Sequence, residues 1–266
     1  MSGNRTSGWT LAARIYTVLF FAFLYVPIAS LFFLSFNDSP VMGFPIRGVT
    51  LDWYREALAD GQLTGALWNS FRIGLASAAT GTALGLLAVL GLRYRFPLAS
   101  AVVPLVILPI VMPGIVTGIV MLIFFGLAGI RYGLWPTTFI VHVTWVLPFA
   151  FLTLYPRLHG FDRSIEEAAM DLGARPFTVF RRIVFPLIRP AVIGTFLFAF
   201  TLSFDEFVRT LFVIGSQRTM PVYLWVLVTE QVAPFLPAVG VIIMVLTLTA
   251  AALGFAASSR SAPARP

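Results

Sequence analysis

Residues able to do chemistry are scarce in this chain, and they gather in two places. The first is Glu166–Pro186, EEAAMDLGARPFTVFRRIVFP, which carries two Glu, one Asp and three Arg in a chain with only 18 arginines and 11 acids. The second is Leu202–Gly215, LSFDEFVRTLFVIG, where Asp205, Glu206 and Arg209 interrupt an apolar run. A charged group at helix-centre depth in a membrane costs about 2.5–3.5 kcal/mol on insertion scales, so acids in such a run are functional-site candidates. Asp205 and Glu206 are neighbours, and on one helix they point about 100° apart. Arg209 lies one turn beyond Asp205 and can pair with it. Two readings stand: a structural ion pair, or carboxylates facing the path of a cationic solute, with Phe204 and Phe207 as aromatic neighbours.

Other chemistry is excluded. There is no cysteine, so disulfides and metal–thiolate sites are absent, and two histidines alone do not make a structural zinc site. His142 and His159 lack the H-E-x-x-H spacing of a metalloprotease, and no nucleophile–base pattern marks a serine enzyme. His142 reads as a packed or weakly hydrogen-bonded core residue. No G-x-x-x-x-G-K-[ST] stretch is present to bind a nucleotide.

The elements that must position these residues are membrane helices. The chain of 266 residues is 59% hydrophobic and 11% charged, against about 25% charged in soluble domains. Ile15–Phe36, Ile73–Leu92, Phe96–Ile130, Tyr132–Pro156 and Gln231–Ser259 contain no Asp, Glu or Arg, and each exceeds the ~18 residues of a spanning helix. The apolar run after Arg14 is too long for a signal peptide, whose apolar region is ~7–15 residues, and reads as an uncleaved first helix. Six spans are expected, at about 13–36, 68–92, 104–127, 135–156, 189–211 and 234–257, the fifth carrying Asp205 and Glu206 inside it. All the positive charge is arginine. With the N-terminus inside, the inner segments hold Arg5, Arg14, Arg93, Arg95, Arg157, Arg163, Arg175, Arg181, Arg182, Arg189, Arg260 and Arg265, and the outer ones Arg47, Arg55, Arg131, Arg209 and Arg218. That bias puts both termini in the cytoplasm. It also explains the basic net charge by a membrane surface rather than nucleic acid.

Thr50–Leu58 reads as a short outer helix with Trp53 and Tyr54 as interfacial anchors. Ser70, Gly74, Ser77, Gly81 and Gly85 form a small-residue stripe, a packing signal for close helix approach. The last residues, SSRSAPARP, read as a disordered tail over 258–266.

The charged segment reads as helix, glycine turn, helix. Ser164 with Glu167 fits a capping box, with Glu166 and Glu167 in the first turn. Gly173 fits the left-handed residue past a helix end, and Pro176 the first turn of the next. Phe177, Phe180, Ile183 and Val184 form that helix's apolar face, and Pro186 closes it. On these grounds alone the segment is either an ordinary capped cytoplasmic loop or a short helix that docks on another protein.

The spacing Glu167-Ala168-Ala169-x3-Gly173-x9-Ile183-x-Phe185-Pro186 resembles the E-A-A loop of ATP-binding cassette importer permeases, departing only at Phe185, where leucine is usual. Asn69–Ser70 at the start of the second span is similar too. The resemblance covers about 65–257, with 1–64 an added helix and outer loop. It implies an all-α membrane protein of the type I ABC importer permease (MetI-like) fold with six spans. It further implies that Glu167, Ala168, Ala169, Gly173, Ile183 and Pro186 belong to a coupling loop at about 159–187. That loop would seat on a separate ATPase dimer, which binds ATP and Mg while this chain binds no cofactor and catalyses nothing. Leu202–Gly215 is similar to spermidine/putrescine permeases, above all to their second permease subunit. This implies a bacterial inner-membrane importer of polyamines working with a second permease, in a heterodimer, and with an extracytoplasmic solute-binding protein. Related permeases for phosphonate, ferric iron or opines share part of the pattern. A channel or secondary transporter is the rival that needs no ATPase.

Overall fold

The computed structural model describes residues 7–93, 99–231 and 233–259. Among them the chain is helical, with one isolated antiparallel bridge between Asn37 and Val49. Residues 260–266 of the expected tail lie outside the described residues, as do Arg5, Arg95, Arg260 and Arg265. The chain divides into two units: Met1–Gly61 with Val226–Pro266, and Gln62–Trp225.

The first unit holds α1 (Ser7–Leu34), α2 (Asp52–Ala59) and α12 (Leu236–Ser259), with a π-helical turn at Leu227–Gln231. α1 presents Trp9, Tyr16 and Phe23 outward at 86%, 70% and 79% exposure, as a lipid-facing helix does. α1 and α12 meet where Leu31 covers Gly240, so closely that a Cβ there would lie 2.8 Å from Leu31 Cδ2. The loop into α2 is closed by polar side chains. Asn37 donates from Nδ2 to the Gly43 carbonyl and accepts the Arg47 N–H. Trp53 donates its indole N–H to the Asn37 carbonyl at 2.8 Å, and the Tyr54 hydroxyl meets Ser35 Oγ at 2.6 Å. The polar ends of both aromatics therefore hold the loop.

The second unit contains α3 (Gly61–Gly91), α4 (Ala99–Val111), α5 (Gly114–Leu127), α6 (Phe139–His159), α7 (Ser164–Asp171), α8 (Pro176–Val179), α9 (Phe185–Phe204), α10 (Val208–Val213) and α11 (Met220–Val226). The small stripe of α3 is buried along its length. A Cβ on Gly81 would lie 2.4 Å from Val146 Cγ2, and one on Gly85 3.0 Å from the Phe151 backbone nitrogen. The two glycines thus let α3 press on α6, in line with the sequence reading.

By length and composition, four helices among the described residues can cross a membrane, or five if one bent pair counts as a single span. Two spans differ from expectation. The third is broken: α4 and α5 meet at a 102° bend at Met112–Pro113. Pro113 has no N–H to donate and disfavours helical geometry at Met112, so one straight helix cannot run through. The fifth stops early, with α9 ending at Phe204 and a turn over 205–207 before α10. Asp205 and Glu206 therefore sit at a break between helices rather than within one.

Pro186 does not close a helix either. Helix runs from Pro176 to Phe204 through a π-helical stretch, Phe180–Val184. The wider turns lie just before the position where the proline ring would press on the preceding carbonyls. They also shift the helical phase. Val179, Val184 and Ile188 are buried together, while Phe177, expected on the apolar face, is 72% exposed. An α-periodic reading of the sequence could not place Val179.

Candidate functional site

α7 carries the first cluster. Its expected capping box is not formed: Ser164 lies inside the helix, and its backbone N–H is accepted by Asp162 Oδ1 at 2.9 Å. The aspartate two residues ahead captures that amide first, as Asx turns do. This bond holds the Asp162 carboxyl below the usual range. The helix ends as the sequence predicts. Gly173 has φ +88°, its N–H donates to the Met170 carbonyl, and the Ala174 N–H donates to the Ala169 carbonyl. These two bonds are the Schellman pattern, which needs the left-handed residue. Pro176 opens α8. Glu167 and Ala168 are exposed, as is Pro186, whereas Ala169 and Ile183 are half-buried against the cluster of Val89, Leu154, Leu158, Val179 and Val184. The sequence reading missed Arg93. Its Nη2 reaches Glu166 Oε1 at 2.5 Å, its guanidinium lies 5.6 Å from the Phe161 ring centre, and its carbonyl accepts from Arg163 Nη2 at 2.7 Å.

The second cluster forms around the break between α9 and α10. Glu206, not Asp205, pairs with Arg209. Glu206 Oε2 accepts from Arg209 Nη1 at 2.8 Å, and Oε1 accepts the Arg209 backbone N–H at 2.9 Å. Both side chains are buried, at 6% and 7% exposure. The expected Asp205–Arg209 pairing needed a continuous helix, and the turn at 205–207 removes that register. Arg209 also lies 3.7 Å from the centre of the Trp145 ring and fills the space above Gly114, where a Cβ would come 3.3 Å from Nη1.

Beneath this pair lies His142, fully buried. Its Nε2 meets Thr210 Oγ1 at 2.7 Å and its Nδ1 meets Ser203 Oγ at 2.6 Å. Thr210 donates its hydroxyl hydrogen to the Glu206 carbonyl at 2.7 Å. The threonine oxygen is then left as acceptor for Nε2–H, so in the neutral imidazole the proton sits on Nε2 and Nδ1 accepts from the Ser203 hydroxyl. His142 is thus the packed core residue anticipated, though with two short hydrogen bonds that tie α6 to α9 and α10. His142 and Trp145, three residues apart on α6, share a face. That spacing was the one available signal for Trp145, which the sequence reading passed over.

An open groove of about 580 Å³ is lined by Ile110–Ile115, Trp145 and Asp205–Arg209. Asp205, Glu206 and Phe207 border it. Phe204 is not among the lining residues and packs on Phe200 at 5.8 Å. Asp205 is exposed and makes no side-chain ion pair or hydrogen bond among the described residues, so its carboxylate is the one left available to a solute. In the N-terminal third of α3, Asn69 Nδ2 donates to the Arg218 carbonyl at 2.9 Å, and Ser70 Oγ accepts the Met220 N–H at 2.8 Å. The Asn-Ser pair thus fastens the turn before α11. Among the described residues no group of His, Asp and Glu is arranged to hold a metal.

Residues 81–260 match the family of binding-protein-dependent transport system inner membrane components. The spermidine/putrescine transport system permease protein PotC of Escherichia coli K12 is 38% identical over 230 residues, 86% of each chain. The Haemophilus influenzae PotC is 36% identical over 86% of this chain and 89% of its own. The putrescine permease PotI of Escherichia coli K12 is 36% identical over 85% and 83%. A solved bacterial ABC transporter involved in importing the acidic polysaccharide alginate superposes with a TM-score of 0.76 at 16% identity, covering 96% of both chains, which establishes the fold. With its helix–Gly173–helix loop set between membrane helices, the chain belongs to the binding-protein-dependent transport system inner membrane component family.

Proposed function

We propose that this chain is a permease subunit of an ATP-driven importer and that its solute is a polyamine. The observation that carries the solute is the division of labour at the α9–α10 break. Glu206 is neutralised by Arg209 and buried, while Asp205 faces the groove with Trp145 and Phe207 beside it. One free carboxylate with aromatic neighbours attracts an ammonium group without holding it tightly, as passage requires. The relatives named as spermidine/putrescine and putrescine permeases support the same solute. Energy would come from a separate ATPase dimer, which binds ATP and Mg, docked on the loop containing Glu167, Ala168, Ala169, Gly173, Ile183 and Pro186. A second permease and an extracytoplasmic binding protein would complete the complex. The arginine bias supports six spans with both termini cytoplasmic.

The test is uptake of labelled spermidine and putrescine into vesicles holding the complete complex, with unlabelled polyamines, phosphonate and ferric iron as competitors. Competition by polyamines alone, with the half-saturating concentration raised in Asp205→Asn, is the expected result. Equal competition by the other solutes, or unchanged uptake in Asp205→Asn, would reject the polyamine path. Reporter fusions after Ser259 and within Gly43–Asp60 test the topology, and an outer C-terminus would overturn it.

A further inference from the structure

We propose that Arg93 is a positioning residue for coupling: through Glu166 and Arg163 it fastens α7 to the inner end of α3, so that displacement of α7 moves α3 as a rod. The proposal rests on the docking role of the loop given above, and it adds where the motion goes.

α7 has little else to hold it to the membrane helices. It contains no fully buried side chain, and Ala169 is half-buried where it meets the apolar cluster behind. The polar contacts at its start are different in kind. Arg93 and Glu166 are 73 residues apart in sequence, yet their side chains meet at 2.5 Å with only 13% and 21% exposure. Arg163, just ahead of α7, bonds the Arg93 carbonyl, and the Phe161 ring flanks the same guanidinium. One arginine is therefore gripped from side chain and backbone by the segment that leads into α7. The solvent-exposed pair Arg55–Asp52, at 81% and 73% exposure, offers no such restraint.

Arg93 stands two residues beyond the end of α3, and α3 is suited to carry a displacement. At 31 residues it is roughly 46 Å long. It holds to α6 through the close approaches at Gly81 and Gly85. Toward its other end, Asn69 and Ser70, about two turns in from Gly61, hold the turn at Arg218–Met220, and Arg218 Nη1 donates to Gln62 Oε1 beside the helix start. Polar clamps at both ends of one unbroken helix give a contiguous physical route from α7 to that turn. Such a route transmits coupling only if the clamps themselves bear load.

The experiment uses the complete complex in vesicles and reads labelled spermidine uptake and ATP hydrolysis together. The variants are Arg93→Gln, Glu166→Gln, Arg93→Lys and the exchange of Arg93→Glu with Glu166→Arg, with Gly173→Val alongside. Each neutral single variant is expected to lower spermidine moved per ATP at least about five-fold, the lower end of typical coupling between sites. Arg93→Lys or the charge exchange is expected to recover most of that loss. A purely structural role would reduce the amount of complex and leave the ratio unchanged. Wild-type ratios in Arg93→Gln and Glu166→Gln, or a loss that neither charge-keeping variant repairs, would overturn the proposal. If those ratios stay at wild type while Gly173→Val uncouples, docking of the loop stands and the Arg93 joint falls. A wild-type ratio in Gly173→Val removes both.

Discussion

Among the described residues, two shielded glutamate–arginine pairs differ in what they join. Glu166–Arg93 links helices far apart in sequence, at the edge of the apolar body, with part of each side chain still reaching water. Glu206–Arg209 lies within a single turn, is almost wholly buried, and is backed by Trp145 and the His142 network. A pair between elements can pass a displacement from one to the other. A pair within one turn can only fix that turn's shape and charge. The same two residue types thus serve movement in one place and rigidity in the other, and burial with sequence separation decides which.

This contrast gives a ranking of stability effects. The largest belongs to Arg209→Gln, which leaves Glu206 charged, buried and unpaired. A loss of about 3–5 kcal/mol is expected, read as a lowered Tm of the purified complex. Joint removal in Arg209→Met with Glu206→Gln is expected to lose less, and a double variant as unstable as the single would show that the pair's charges do not govern this turn. Next is Gly81→Ala, whose Cβ would meet Val146 at 2.4 Å. Overpacking of this kind costs about 1–3 kcal/mol, whereas Gly194→Ala, with nothing within 4 Å of its Cβ position, is expected to be neutral or to stabilise α9. Equal Tm shifts for the two would remove the close approach of α3 to α6 as a source of stability. Gly173→Val comes third. Open space surrounds its Cβ position, so only the left-handed backbone is strained, by about 1–2 kcal/mol. Tm should move little while spermidine moved per ATP collapses. The smallest effect on stability is Asp205→Asn, expected within about 0.5 kcal/mol as for other unpaired exposed groups, with its consequence confined to uptake. A Tm drop comparable to that of Arg209→Gln would mean Asp205 belongs to the structural pair after all.

The two regions were also unequally legible in the sequence. Gly173, Pro176 and the helix–turn–helix could be read because each acts through local backbone chemistry that any chain would show. Arg93 could not, because its partner lies 73 residues away and pairing across folded space leaves no spacing signal. At the second cluster the expected pairing was wrong. Assigning Arg209 to Asp205 assumed a helix continuing through 205–207, and the turn there hands the arginine to Glu206 instead. The bend at Pro113 was signalled by its proline but its size was not, since Pro104 and Pro109 lie inside α4 without ending it. The displaced apolar face after Pro176 followed from a π-helical stretch that shifts phase within one helix.

The central claim is that the loop at Gly173 couples energy while Asp205 meets the solute. The most direct measurement is the ratio of spermidine transported to ATP hydrolysed, taken across a range of spermidine concentrations for wild type, Gly173→Val and Asp205→Asn in the same vesicle preparation. The account predicts a collapsed ratio at every concentration for Gly173→Val. For Asp205→Asn it predicts a higher half-saturating concentration with the saturated ratio preserved. A wild-type ratio in Gly173→Val, or spermidine uptake that proceeds without ATP, would contradict it.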